Sequence, residues 1–276
     1  MTLVRRALAS LASATALVLL AATPAVAAAS PPPNSMASLG DSITRGFNAC
    51  GWYVDCTSRS FSTGDHATVN SHYLRIRAVN PNIQGRNLND AKTGARSADM
   101  YGQAGTAVGQ GVEYVTMLIG ANDACTGSES TMTSVTTFRA NIDSALNRIK
   151  AGLPDARVAV ISIPDIYRLW YVGKDSGSAR SAWSLFGICQ SMLANPTSTS
   201  QTDVDRRARV RQRVIDYNTQ LAQACTAYGA NCDFDDNVVF NYPFALSQVS
   251  TWDYFHPNTS GQAVLASVSY ANGFGW

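Results

Sequence analysis

The chain has 276 residues, 46% hydrophobic and 14% charged. That excludes a fibrous or disordered protein and is long enough to bury a full core in one large domain or two small ones. Of its 21 basic and 19 acidic residues, Arg5 and Arg6 belong to an N-terminal segment; without them the balance is 19 to 19. A near-neutral chain argues against nucleic acid as the main partner and against steering toward anionic surfaces.

In chain order, Arg5 and Arg6 precede an apolar, Ala-rich stretch over residues 8–20, then Pro24 and Ala25-Val26-Ala27. A short basic start, an apolar middle and a small-x-small end read as a secretory signal over residues 1–27. The apolar stretch falls short of the ~20 residues a membrane span needs, so stable membrane insertion is not expected. Residues 28–34 read as a flexible leader and residues 35–276 as a single domain. A first strand is expected at residues 36–39, stopped by Gly40, a second within residues 112–119, stopped by Gly120, and a third at residues 158–163, stopped by Pro164. Short continuous apolar runs with a turn signal at the end suit strands buried on both faces.

Helical spacing lies between these runs. Val135, Phe138, Ile142, Leu146 and Ile149 share one face, ended by Gly152 and Pro154. Val210, Val214, Tyr217, Leu221 and Ala224 share another, ending near Gly229, and residues 263–268 form a last apolar stretch after Thr259. Arg206, Arg207, Arg209, Arg211 and Arg213 fall in the second helix and read as its solvated face. Strands alternating with helices imply an α/β fold with a parallel sheet covered on both faces. Residues 47–73 and 167–202 break the rhythm with aromatic side chains among small polar ones, and read as long loops, either functional or merely irregular.

Six cysteines in an exported chain suggest three disulfides. Fifteen pairings are possible. Two local pairs stand out, Cys50–Cys56 and Cys225–Cys232, which leaves Cys125–Cys189 by elimination. No CxxC pair occurs, so a zinc ribbon is not expected.

Four segments carry candidate chemistry. Gly40-Asp41-Ser42 follows the first strand, and the C-terminal ends of parallel strands host active sites. A serine there can project its hydroxyl into the crevice from a helix N-terminus, where backbone N–H groups favour an oxyanion; capping is the bland alternative. Gly94 permits close approach of a backbone N–H to a ligand. Asn122, in Gly120-Ala121-Asn122-Asp123 after the second strand, can donate from its side-chain amide. His256, one of three histidines with His66 and His72, can act as a base, and Asp253 three residues earlier can orient it.

Taken together, Gly-Asp-Ser, Gly94, Gly-x-Asn-Asp and Asp-x-x-His-Pro resemble the blocks of the SGNH (GDSL-type) hydrolase family in order and spacing across residues 36–268. Ile43 stands where the name-giving motif has Leu. The resemblance implies a flavodoxin-like, three-layer α/β/α sandwich and acyl-ester hydrolysis without metal or cofactor. It implies Ser42 as nucleophile, His256 as base and Asp253 as its support. The oxyanion hole would be the Ser42 and Gly94 backbone N–H groups with the Asn122 side chain. The absence of a Gly-x-Ser-x-Gly elbow argues against the α/β-hydrolase fold. The expectation is a secreted, monomeric hydrolase of lipid esters; a polysaccharide acetyl esterase and an inactive binding scaffold are the alternatives.

Overall fold

The computed structural model describes residues 31–276. The expected signal segment and the first residues of the leader lie outside them. In chain order the elements are β1 Met36–Gly40, α1 His72–Val79, β2 Asn87–Asn89, α2 Met100–Gln110, β3 Tyr114–Leu118, α3 Ala121–Ala124, α4 Val135–Gly152, β4 Arg157–Val160, α5 Ile166–Gly173, α6 Gly177–Leu185, α7 Gln190–Leu193, α8 Gln201–Tyr228, β5 Cys232–Phe234, α9 Val238–Asn241 and α10 Thr259–Ala271. The five strands form one parallel sheet in the order β2-β1-β3-β4-β5.

Strand alternation divides the core into two faces. Ala37, Leu39, Val115, Met117 and Val158 face a layer in which α2 packs on α4 and α4 on α8. Met36 and Tyr114, paired in register, face α1 and α10 together with Tyr73 and Ile76. His72 of α1 is buried there, its ring nitrogens 2.9 Å from the Tyr114 hydroxyl and 2.8 Å from Ser269 Oγ of α10. This is the three-layer, flavodoxin-like arrangement. Because β2 lies on one side of β1 and β3 on the other, the chain reverses direction between β1 and β3, and a crevice opens at the ends of those two strands.

Both strand ends are shaped by glycine. Gly40 has φ +151°, and a Cβ there would lie 2.4 Å from the Leu118 carbonyl oxygen. Gly120 has φ +124°, and a Cβ there would lie 2.4 Å from Ile163 Cδ1. The chain can therefore turn sharply just before Ser42 and just before Asn122.

Several expectations need correction. Residues 167–202 are mostly helical: they hold most of α5, then α6 and α7. The pattern is hard to read because α5 and α6 are short and meet at Gly173, where the Trp183 ring packs against bare backbone. The arginine run of α8 is only in part a solvated face: Arg209 and Arg211 are exposed, whereas Arg206 and Arg213 are half-buried and Arg207 is buried. Arg207 is 2% exposed, lies 4.4 Å over the Trp170 ring and donates to the Ser198 carbonyl at 2.7 Å. Arg206 donates to the Ala194 carbonyl, Arg213 to that of Thr133, Arg209 pairs with Glu129 and Arg211 with Asp165. Long side chains with five donors each reach carbonyls and carboxylates of neighbouring segments even where, as at Arg209 and Arg211, they also meet water. The leader enters the described residues only at 31–34, and there it is tied down: Asn80 donates to the Pro32 and Pro33 carbonyls, and the Asn34 N–H to Glu113 at 2.8 Å. All three expected disulfides are present.

Candidate active site

Ser42 lies two residues beyond β1, 5% exposed. It does not start a helix. Residues 41–50 are a run of turns, with Arg45 N–H donating to the Asp41 carbonyl and Phe47 N–H to that of Ser42. Asp41 anchors the first of these turns: its Oδ1 accepts from the Ile43 N–H at 2.9 Å, while its buried Oδ2 has no partner. Burial pushes the Asp41 carboxyl up to about 7.

His256 arrives from the other end of the chain. Its Nε2 is 2.7 Å from Ser42 Oγ, and its Nδ1 is 2.5 Å from Asp253 Oδ2. With Nδ1 protonated toward the carboxylate, Nε2 accepts from the serine hydroxyl. Asp253 is 1% exposed and fully engaged. Its Oδ1 accepts from the Phe255 and His256 N–H groups at 2.9 and 3.1 Å, and its Oδ2 also accepts from Asn48 Nδ2 at 2.6 Å. The turn is held by the Ser250 N–H on the His256 carbonyl and by Trp183 Nε1 on the Tyr254 carbonyl.

Gly94 and Asn122 face the same cleft. Gly94 has φ +83°, and neither its N–H nor that of Ser42 donates to the protein. Asn122 Nδ2 donates one hydrogen to the Ala95 carbonyl at 2.9 Å, which leaves the second for a ligand. Neighbouring Asp123 is buried and accepts from Ser97 N–H and Oγ at 2.8 and 2.7 Å, which pins the Gly94 loop to α3. The cleft encloses about 240 Å³, walled by Phe47, Tyr53, Thr93, Ile188 and the Cys125–Cys189 disulfide.

Every residue expected at the site is thus within this one cleft. Sequence reasoning missed Asn48, which steadies Asp253, and Phe47, whose ring centroid is 4.9 Å from that of His256. Asn48 has φ +66°, a conformation asparagine tolerates better than most residues, but nothing in its spacing points to Asp253, 205 positions away. Among the described residues, no group of three or more His, Cys, Asp or Glu side chains is placed to hold a metal.

A second, largely apolar cavity is lined by Ile43, Ala121, Leu169, Phe244, Val249 and Phe255, among others. Ile43 follows Ser42, Ala121 precedes Asn122 and Phe255 precedes His256, so Phe255 belongs to both walls.

Comparison with known proteins agrees with this arrangement. No curated protein matches the chain significantly. Among solved structures, the extracellular lipase of Streptomyces rimosus superposes with a TM-score of 0.50 at 20% identity, covering 87% of this chain and 99% of that one. An acetylxylan esterase of Geobacillus stearothermophilus superposes with a TM-score of 0.54 at 14% identity, covering 88% and 94%. At these identities the likeness is one of fold. The family description GDSL-like Lipase/Acylhydrolase matches residues 36–268. That span holds all five strands and every residue of the cleft, and the chain belongs to the GDSL-like lipase/acylhydrolase family.

Proposed function

We propose that the protein is an exported serine ester hydrolase acting on lipid esters, with Ser42 as nucleophile. The observation that carries the reading is the unbroken Ser42–His256–Asp253 relay, 2.7 and 2.5 Å at its two links. His256 takes the hydroxyl proton as Ser42 Oγ attacks the ester carbonyl. The negative charge on the carbonyl oxygen is received by the Ser42 and Gly94 N–H groups and the Asn122 amide. His256 then protonates the departing alkoxide, and the same ring activates water to release the acyl group. Asp253 keeps the proton on Nδ1 and offsets the charge of the imidazolium.

Two features favour an acyl chain over an acetyl group. The apolar cavity is lined by Ile43, Ala121 and Phe255, the sequence neighbours of Ser42, Asn122 and His256, and suits an alkyl tail. The cleft wall of Phe47, Tyr53 and Ile188 is itself mostly apolar. Export is supported by the N-terminal signal pattern and by three disulfides, which persist in oxidising compartments. Among the described residues no helix is long and apolar enough to cross a membrane.

The test is hydrolysis of short and long p-nitrophenyl esters, triacylglycerol, phosphatidylcholine and acetylated xylan, with Ser42→Ala in parallel. Turnover that the substitution abolishes, with preference for longer chains, supports the reading. A Ser42→Ala variant as active as its parent overturns the mechanism, and preference for acetylated xylan overturns the substrate class.

A further inference from the structure

Large apolar side chains gather beside the cleft around Tyr53, which lines it. Trp52, Tyr53, Val54, Leu185, Phe186 and Trp252 are all exposed, Leu185 by 79% and Trp52 by 67%. They come from three separate segments yet adjoin: the Trp52 and Trp252 ring centroids are 6.4 Å apart, and those of Tyr53 and Phe186 are 6.3 Å apart. The line continues inward. Tyr53 meets Phe47 edge-on at 4.9 Å, and Phe47 meets His256 at 4.9 Å, so rings lead without a break from the surface to the base.

The rim is built into the scaffold. Cys50–Cys56 closes the loop that carries Trp52 and Tyr53. Trp252 Nε1 donates to the Gly51 carbonyl at 2.7 Å, Asn48 N–H to that of Val54 at 3.0 Å. On the opposite side, Cys189 joins the segment after Leu185 and Phe186 to Cys125 beside the oxyanion donors. An aromatic side chain carries about 150–250 Å² of surface, so the four rim aromatics at half exposure present on the order of 400 Å². A patch of that size matches the largest patch on a typical monomer, which is often functional.

The chemistry of the rim selects its occupant. Leu185 and Val54 offer no flat face to a sugar ring. None of the six side chains is charged, and Asp55, the next residue along, is paired with Arg45 at 2.9 Å and accepts from Thr93. The described residues carry equal numbers of basic and acidic side chains. A neutral patch on a neutral domain complements a surface without net charge. We propose that this rim docks the protein on the zwitterionic surface of a lipid aggregate, with the cleft mouth against the interface. An ester-bearing lipid then passes along Tyr53 and Phe47 to Ser42 without crossing water. The purpose assigned to the surface rests on the ester-hydrolase reading; its test does not.

The measurement is co-sedimentation with phosphatidylcholine vesicles in an inert Ser42→Ala background. Adding Trp52→Ser with Leu185→Ser, both at exposed positions, lowers partitioning at least about tenfold. Raising salt from about 0.05 to 0.5 M changes it less than about twofold, because no charge pair is being screened. In the active protein the same pair of substitutions leaves hydrolysis of soluble p-nitrophenyl acetate within about twofold of the parent. The proposal is overturned if the protein ignores the vesicles, or if the rim variant partitions like its parent. It is equally overturned by rim-dependent binding to xylan in place of vesicles, or by a rim-dependent dimer in sedimentation velocity. Rim-dependent vesicle binding by a protein that hydrolyses no ester would remove the hydrolase reading and leave the docking surface standing.

Discussion

Asn122→Ala probes the proposed oxyanion hole, to which the mechanism assigns most of the electrostatic work. The Asn122 amide has two hydrogens: one is committed to the Ala95 carbonyl at 2.9 Å, and the other faces the cleft. Removing an oxyanion donor costs about 10²–10³ in kcat, or about 3–4 kcal/mol of barrier. Here the committed hydrogen adds to the loss, because it fixes the residue next to Gly94, whose N–H is the second proposed donor. The expected fall therefore lies at the upper end, about 10³ in kcat. KM should stay within about threefold, since the donor gains strength only as the carbonyl oxygen becomes charged. Freeing the buried Ala95 carbonyl costs about 1–2 kcal/mol of stability, so urea unfolding must accompany the kinetics to show that the folded fraction is unchanged. Steady-state kinetics on a soluble p-nitrophenyl ester reads the rest. A kcat within about tenfold of the parent, or a loss carried by KM, would refute the assignment of Asn122 as an oxyanion donor.

Other perturbations follow from features away from the nucleophile. On the loop-closure relation, removing Cys125–Cys189, which spans 64 positions, should cost about 4 kcal/mol in urea unfolding, whereas removing Cys50–Cys56 or Cys225–Cys232 should cost about 2 kcal/mol. Equal costs would show that loop closure is not what matters. Asp41, raised by burial to about 7, keeps a proton in the native state that the unfolded chain gives up near pH 4, so stability falls as pH rises through that window. Asp41→Asn should flatten the slope between about pH 4 and 7, by at most about 4 kcal/mol in all; an unchanged slope would clear Asp41 of responsibility. Arg207→Lys loses the planar fork that both stacks on Trp170 and reaches the Ser198 carbonyl. It should destabilise by about 2 kcal/mol with kcat intact, and a matching loss of activity would mean that α8 shapes the cleft.

What could be read from the sequence follows burial. The strands β1, β3 and β4 are covered on both faces, so they appear as continuous apolar runs, and glycine marks the ends of β1 and β3. The edge strands β2 and β5 are three residues each, Asn-Leu-Asn and Cys-Asp-Phe, and carry no such signal. Helix α2 was equally hidden, because Gly102, Gly105 and Gly109 blur its periodicity. Ser42, Gly94, Asn122, Asp253 and His256 were legible because each sits in a short motif. Asn48 and Phe47 were not, since their roles come from contacts across about two hundred positions, and such pairings are made by the fold rather than by local spacing.

The separation of Ser42 from His256 by 214 positions also orders events in time. A growing chain completes β1, β3 and the three proposed oxyanion donors before Asp253 and His256 exist. Until those two residues have been made, Ser42 lacks the base that the proposed mechanism assigns to it. A hydrolase working by the proposed mechanism would be silent through most of its own synthesis, its chemistry waiting until these two distant segments meet.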